Sequence, residues 1–359
     1  MIPLRPLALA VGLACAASAG ALETLHSTVD NKQLSTQTGP CANLYDYVNG
    51  EWAKTARIPA DRTTWGSFEQ LDERSLAATR EIVEAAAKNA AKAAPGAIEQ
   101  KIGRFYASAM DAAAINKAGI APLADTLKRI DGLKTPDEIV AFVQDSHAAG
   151  IPLLFRFGAQ ADFKNSAMAI GYAFQGGLGL PERGYYTEDG KDGANKKIRE
   201  AYVVHVAHML ELAGAKKADA ETQAKVVLAL ETRLAAASLS RIELRKPDNQ
   251  YHFVSVAEAE KTTPNFSWRK FFATQKAVAD GGFSLSQPKF FAEMDKMLGE
   301  VPAADWRAYL RFHALRNAAP YLSDPFVNED FAFYGKTLRG QQELKPRWKR
   351  ALDGVEDGM

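Results

Sequence analysis

Residues 135–174 read "TPDEIVAFVQDSHAAGIPLLFRFGAQADFKNSAMAIGYAF", and within them the periodicity of the chain changes. The first part, 135–150, carries a helix with its own start and stop. Thr135 is placed as the cap, Pro136 takes the first helical position, Glu138 completes a capping box and Gly150 ends the helix. Then Leu153, Phe155 and Phe157 alternate with Leu154, Arg156 and Gly158, a polar "DFKNS" follows at 162–166, and a second short apolar run begins. Period two on either side of a polar turn predicts a β-hairpin. Everything flanking it has helical spacing. The fold class that follows is mainly α: a multi-helix lobe with one small β-hairpin.

Upstream, "CANLYDYVNGEW" (41–52) sets Leu44, Tyr47 and Val48 on one helical face. Asn49-Gly50 is expected to stop that helix in the left-handed conformation, with Trp52 folding back beyond it. Residues 68–93 keep helical spacing. In "AIEQKIGRFYASAMD" (97–111) the stripe Ile98, Ile102, Phe105 and Met110 predicts a buried face. Downstream, "QGGLGLPERGYYTEDGKDG" (175–193) reads as a long Gly/Pro/Asp loop. Helices are expected from Asn195, near Ala220, from Trp268 to about Lys276, and over 287–299 and 303–317. No internal repeat is evident.

The N-terminus has Arg5 as a short basic region, an apolar run from Leu7 to Ala17, and Ala17-Ser18-Ala19 and Ala19-Gly20-Ala21 as small-x-small cleavage sites. Residues 1–21 therefore read as a secretory signal peptide. Residues 22–40 read as a polar linker and 41–359 as the folded domain. Export to the periplasm or the extracellular space follows, with no membrane span in the mature chain. Removing the segment takes Arg5 away and leaves 43 charges of each sign, which gives no electrostatic case for nucleic acid. Cys15 is poorly placed for lipid attachment. Cys41, the remaining thiol, has no internal partner and is expected to be buried or to pair across chains.

Tests for a catalytic centre return little. His205 and His208 flank the apolar side of a helix three residues apart. A zinc hydrolase needs His-Glu-x-x-His, with the ligands one full turn apart and the glutamate acting on water. Here Val206 stands in the glutamate's place, so the pair reads as structural. "QGGLGLP" lacks the Gly-Lys-Ser/Thr of a phosphate loop, there is no Gly-x-Ser-x-Gly elbow, and "EDGKDG" reads as two Asp-Gly turns rather than a calcium loop. The residues yield no catalytic and no metal-ligating set.

Several segments, in order, carry a family resemblance. "YDYVNGEWAKTARIPADRTTWGSFEQLDE" (45–73) resembles the opening block of the neprilysin family of zinc metallopeptidases, which includes endothelin-converting enzyme and the bacterial oligopeptidase PepO. "KIGRFYASAMD" (101–111), "QGGLGLPERGYYT" (175–187), "YVVHVAHMLELAG" (202–214), "LETRLAAASLSRIE" (230–243) and the run from Ser323 to Met359 are similar to successive blocks of the same family. The likeness covers residues 41–359.

The resemblance implies the N-terminal, cap half of a two-domain peptidase that acts on oligopeptides inside a chamber. Zinc belongs to the intact family enzyme, on a His-Glu-x-x-His helix in the C-terminal half, and none is expected to bind this chain. Partners implied are oligopeptide substrates and the missing C-terminal catalytic domain, without which the chain is expected to be inactive. An ending at "VEDGM" is read as a truncation before that half. The alternative is a stand-alone, non-catalytic helical module that binds peptides or a protein. One family residue in this region contacts substrate, the arginine before an aromatic-Gly pair. Its position here is Thr64, before Trp65-Gly66. Were this segment extended, Arg62 would project from the same face two residues earlier, and it is the substrate-binding candidate. Gly184 stands where the family commonly has a carboxylate, which predicts a freer loop.

Overall fold

The computed structural model describes residues 33–279 and 281–358. The residues read as a signal peptide, Cys15 and the first part of the expected linker lie outside them. The chain divides into two compact units, residues 1–59 with 64–66, and residues 60–63 with 67–359.

In the first unit, α1 (Leu44–Thr55) starts at Asn43, whose side chain accepts from the Asp46 amide. The helix runs through Asn49 and Gly50 and takes in Trp52, so the expected stop is overturned. Gly50 keeps helical geometry, a conformation glycine tolerates at about 1 kcal/mol relative to alanine. Leu44 is exposed, while Tyr47 and Val48 are half-buried. Cys41 is exposed, not buried.

The second unit holds the remaining elements. They are α2 (Ser67–Asn89), α3 (Ile98–Met110), α4 (Ala112–Ala118), α5 (Ala124–Asp131), α6 (Pro136–Ala148), β1 (Phe155–Ala161), β2 (Ala169–Gln175), α7 (Gly184–Thr187), α8 (Ala194–Leu212) and α9 (Lys217–Ala237). After these come β3 (Phe253–Val254), α10 (Val256–Thr262), α11 (Trp268–Thr274), β4 (Phe283–Leu285), α12 (Pro288–Glu300), α13 (Ala303–Ala318), α14 (Asp324–Asp330), a π-helical turn (Phe331–Thr337) and α15 (Arg347–Gly358). Mainly helical with a small sheet is the fold class the sequence predicts.

The deciding stretch folds as read. Thr135 caps α6, both bonds of the capping box with Glu138 form, and Gly150 sits at φ +80°. The hairpin pairs β1 with β2 from Phe155↔Gln175 to Ala161↔Ala169. It is half of a four-stranded sheet of order β1-β2-β4-β3, with β4 parallel to β2 and antiparallel to β3. Strands of two and three residues are too short to show a period, so β3, β4 and the seven-residue α10 escape sequence reading.

Three clusters make up the interior of this unit. One packs α5, α6, α9, α11, α12 and α13 against the inner face of the sheet. Its centre is aromatic. Phe155 meets Phe266, Trp268 and Phe291 edge-on at 5.5–5.6 Å, and burying each such ring contributes roughly 2–3 kcal/mol. A second cluster joins α8, α9, α13 and α14. The third is thin: Leu76 and Val83 of α2, Tyr106 of α3, and Ala351, Leu352 and Val355 of α15.

The face of α3 differs from the one its hydrophobic stripe predicts. Gln100, Gly103 and Tyr106 point inward, and Ile98, Phe105 and Met110 are exposed. Gly103 lets α3 cross α2 against the Ala86 carbonyl, where a Cβ would collide. Gln100 closes the α2–α3 connection, accepting from the Gly96 amide at 3.0 Å and donating to the Ala93 carbonyl at 3.3 Å. Close approach and turn closure thus override apolar periodicity.

Candidate functional site

Arg62, the candidate from sequence, lies in a short segment that turns at Ala60 and Asp61 and bends at Thr63. The extended strand on which its placement rests is therefore not formed. Its guanidinium is held by α2: Nε and Nη2 donate to Glu73 Oε1 at 2.9 and 2.7 Å, and Nη2 also donates to Asp72 Oδ2 at 2.6 Å. Glu73 Oε1 accepts from Lys349 Nζ on α15 at 2.6 Å, and Lys349 reaches Asp61 Oδ2 at 2.9 Å. Two cations and three carboxylates alternate in one chain, Asp61–Lys349–Glu73–Arg62–Asp72, with net charge −1.

Burial pushes the Glu73 carboxyl up, but hydrogen bonds from Lys349 and Arg62 outweigh it and hold it below the usual carboxylate range. Burial likewise opposes the charged Lys349, and Glu73 and Asp61 override it to hold the ammonium above its ordinary value. The Ala60 carbonyl accepts from the Gln342 and Glu343 amides, so backbone bonds reinforce the same junction.

The glycine-rich segment 175–181 is gripped rather than free. The Tyr309 hydroxyl donates to the Gly177 carbonyl at 2.7 Å, and the Tyr334 hydroxyl to that of Gly179 at 3.2 Å. The Leu180 amide donates to the Tyr186 hydroxyl at 2.7 Å. Beneath it lies Glu231, fully buried, accepting from Tyr186 at 2.6 Å, Tyr202 at 2.9 Å and His313 Nε2 at 2.8 Å. Burial lowers the His313 imidazole against the pull of Glu231, so it donates as a neutral ring. Gly177 takes φ +73°, and a Cβ at Gly179 would overlap the Tyr202 hydroxyl. These are the physical reasons for the glycines. Gly184 is buried in α7, and its carbonyl accepts from Asn195 Nδ2 at 3.1 Å, so the expected looseness is absent there.

His205 and His208 share one carboxylate. Their Nδ1 atoms lie 2.9 and 3.5 Å from the two oxygens of Glu329 on α14. His205 is buried and stacks on Phe333 with centroids 4.8 Å apart; His208 is half exposed. Among the described residues no three His, Cys, Asp or Glu side chains are placed to hold a metal ion. No helix among them is long and apolar enough to cross a membrane. Glu231, Glu329 and Lys349 are the polar partners that sequence reading missed. Their separations of 45–276 residues from Tyr186, His205 and Glu73 leave no local signal.

Comparison with known proteins places this architecture. Residues 40–359 match the profile of peptidase family M13. The chain belongs to peptidase family M13. Membership in this family of zinc metallopeptidases rests on nearly the whole described chain. The chain is similar to endothelin-converting enzyme 1 of Mus musculus, 24% identical over 89% of this chain and 42% of that protein. Neprilysin-3 of Drosophila melanogaster is 25% identical over 91% of this chain and 43% of that protein. Among solved structures, the Mycobacterium tuberculosis zinc metalloprotease Zmp1 in complex with an inhibitor superposes with a TM-score of 0.86 at 32% identity, over 92% of this chain and 50% of that one. PepO from Lactobacillus rhamnosis shares the fold, with a TM-score of 0.76 at 22% identity over 89% of this chain and 50% of that one. The chain thus spans about half the length of these M13 relatives.

Proposed function

We propose that this chain is the N-terminal half of an exported zinc metalloendopeptidase of family M13, that it walls the chamber in which oligopeptides are cleaved, and that it has no peptidase activity by itself. The observation that carries the reading is the end-to-end superposition of this lobe on half of a zinc metalloprotease. The zinc would be held by a His-Glu-x-x-His helix in the other half, and it supplies a bound water of lowered pKa. This chain's contribution is to exclude large substrates and orient small ones. Export is supported by the signal-like residues 1–21.

Within that reading Arg62 binds substrate through the exposed end of its network. Its two bonds to Glu73 anchor the guanidinium, and Asp72, half exposed, is the carboxylate that a peptide C-terminus would displace. In the enzyme carrying both halves, Arg62→Ala should raise KM for peptides with a free C-terminus near the cut and leave amidated ones unaffected. Equal kinetics on both would remove Arg62 from the site.

The reading as a whole is tested by chelator-sensitive cleavage of a small peptide. The polypeptide containing both halves should cleave, and the purified 359-residue chain should not. Zinc-dependent cleavage by the short chain would overturn it.

A further inference from the structure

Helix α2 has two apolar faces, and among the described residues only one of them is packed. Leu76, Val83 and Ala86 point inward to the third core cluster. On a separate face, roughly a third of a turn away, Phe68, Leu71, Ser75, Ala78, Ile82 and Ala85 follow one another at intervals of three and four residues. All six are exposed, and the large ones strongly so: Phe68 88%, Leu71 59% and Ile82 67%. This is the a/d spacing of a helix–helix seam. Beside it Arg74, Glu81 and Lys88, each exposed, fall at successive g positions and alternate in sign.

We infer that this seam is the docking surface for a helix of the zinc-bearing half of the enzyme. The inference rests on the proposed function, and it specifies the partner. The seam carries large side chains at Phe68 and Leu71 and again at Ile82, and between them Ser75 and Ala78 leave a hollow. A partner helix must therefore bring large apolar side chains to the middle, with acids facing Arg74 and Lys88 and a base facing Glu81. A second copy of this chain does not satisfy that. In a two-fold pair each surface meets itself, so an antiparallel match sets hollow against hollow. A seam with only three large side chains is also too weak to recruit a separate protein from dilute solution. Tethering in one polypeptide raises the effective concentration to the millimolar range and makes such a contact sufficient. The M13 relatives supply the tether, because they carry at least as much polypeptide again outside the region this chain matches.

The test compares the double variant Leu71→Asp/Ile82→Asp in two settings. In the 359-residue chain the unfolding midpoint should stay within about 1 °C of the parent, since surface substitutions away from special features change stability little. In the polypeptide carrying both halves the same pair should lower the midpoint by roughly 3–6 °C or split unfolding into two transitions, and should speed proteolysis between the halves. Ala78→Leu, which fills the hollow, should act in the same direction in the long form and be silent in the short one. Identical unfolding and proteolysis of parent and variants in the long form would overturn the inference. So would sedimentation that finds the short chain dimeric and the double variant monomeric, since the occupant is then a second copy. Because these readouts do not use activity, a long form that lacks zinc-dependent cleavage would refute the functional reading and leave the seam standing or falling separately.

Discussion

The Glu231 centre and the α2–α3–α15 corner are built on opposite plans. Around Glu231 two tyrosines and a histidine converge on one carboxyl group in a fully buried site, and further tyrosines clamp the segment above it. In the corner the core is a handful of mostly aliphatic side chains, the polar network runs from the buried Lys349 to the exposed Asp72, and apolar residues of α2 and α3 face outward. The first is finished by its own residues. The second is organised by charge and leaves apolar side chains exposed among the described residues. The difference is between a site closed by donors converging on one buried acceptor and a corner held by ion pairs around a small core.

The contrast can be broken most sharply at Glu231. Glu231→Ala strands three buried donors and should cost roughly 3–5 kcal/mol in thermal or denaturant unfolding, while Glu231→Gln keeps an acceptor and should cost markedly less. Equal losses would mean that the carboxylate's charge or its second acceptor oxygen, lost in both variants, governs the site rather than volume. Next, Gly179→Ala forces a methyl into the Tyr202 hydroxyl and should cost about 1–3 kcal/mol; a neutral result would show that the clamped segment yields.

Lys349→Met removes the cation shared by Asp61 and Glu73, leaves two partly buried carboxylates without their common donor, and should cost about 1–2 kcal/mol. The loss should show as earlier proteolysis around residues 60–63 than elsewhere. The smallest effect is the slope of stability with pH. His313 and His147 both titrate below the ordinary histidine value because of burial. Their contribution is complete above about pH 6.5 and is lost as pH falls through the depressed folded values. Glu73 is likewise depressed, so the corner's contribution is present above about pH 4.3 and lost below it. Unfolding midpoints measured downward from pH 8 should therefore fall first as the buried histidines charge and only later as Glu73 protonates.

How far the sequence spoke depends on the range over which each cause acts. Caps, turns and hairpin alternation act over a few residues, and α6, Gly150 and the β1–β2 pairing are read directly from them. Apolar periodicity gave the helices their places but assigned α3 the wrong face. A glycine crossing and a glutamine-closed turn decide that face, and neither contributes to hydrophobic spacing. Gly50 misled in a similar way, because a residue that can end a helix need not do so. Arg62 was picked out by register with a family motif, and its partners Glu73 and Asp72 are visible only once α2 is folded beside it. The histidine pair reads as structural from spacing alone, and the carboxylate that joins the two comes from more than a hundred residues away.

Lys349 and Asp61 are separated by 288 residues. At a synthesis rate of about 5–20 residues per second, α2 would leave the ribosome on the order of 15–60 s before its fastening lysine is made. For that interval the inner face of the helix has only α3 to cover it, without the α15 side chains that complete the cluster. The corner should accordingly be the last part of this chain to consolidate and the part of the newborn polypeptide most in need of a chaperone.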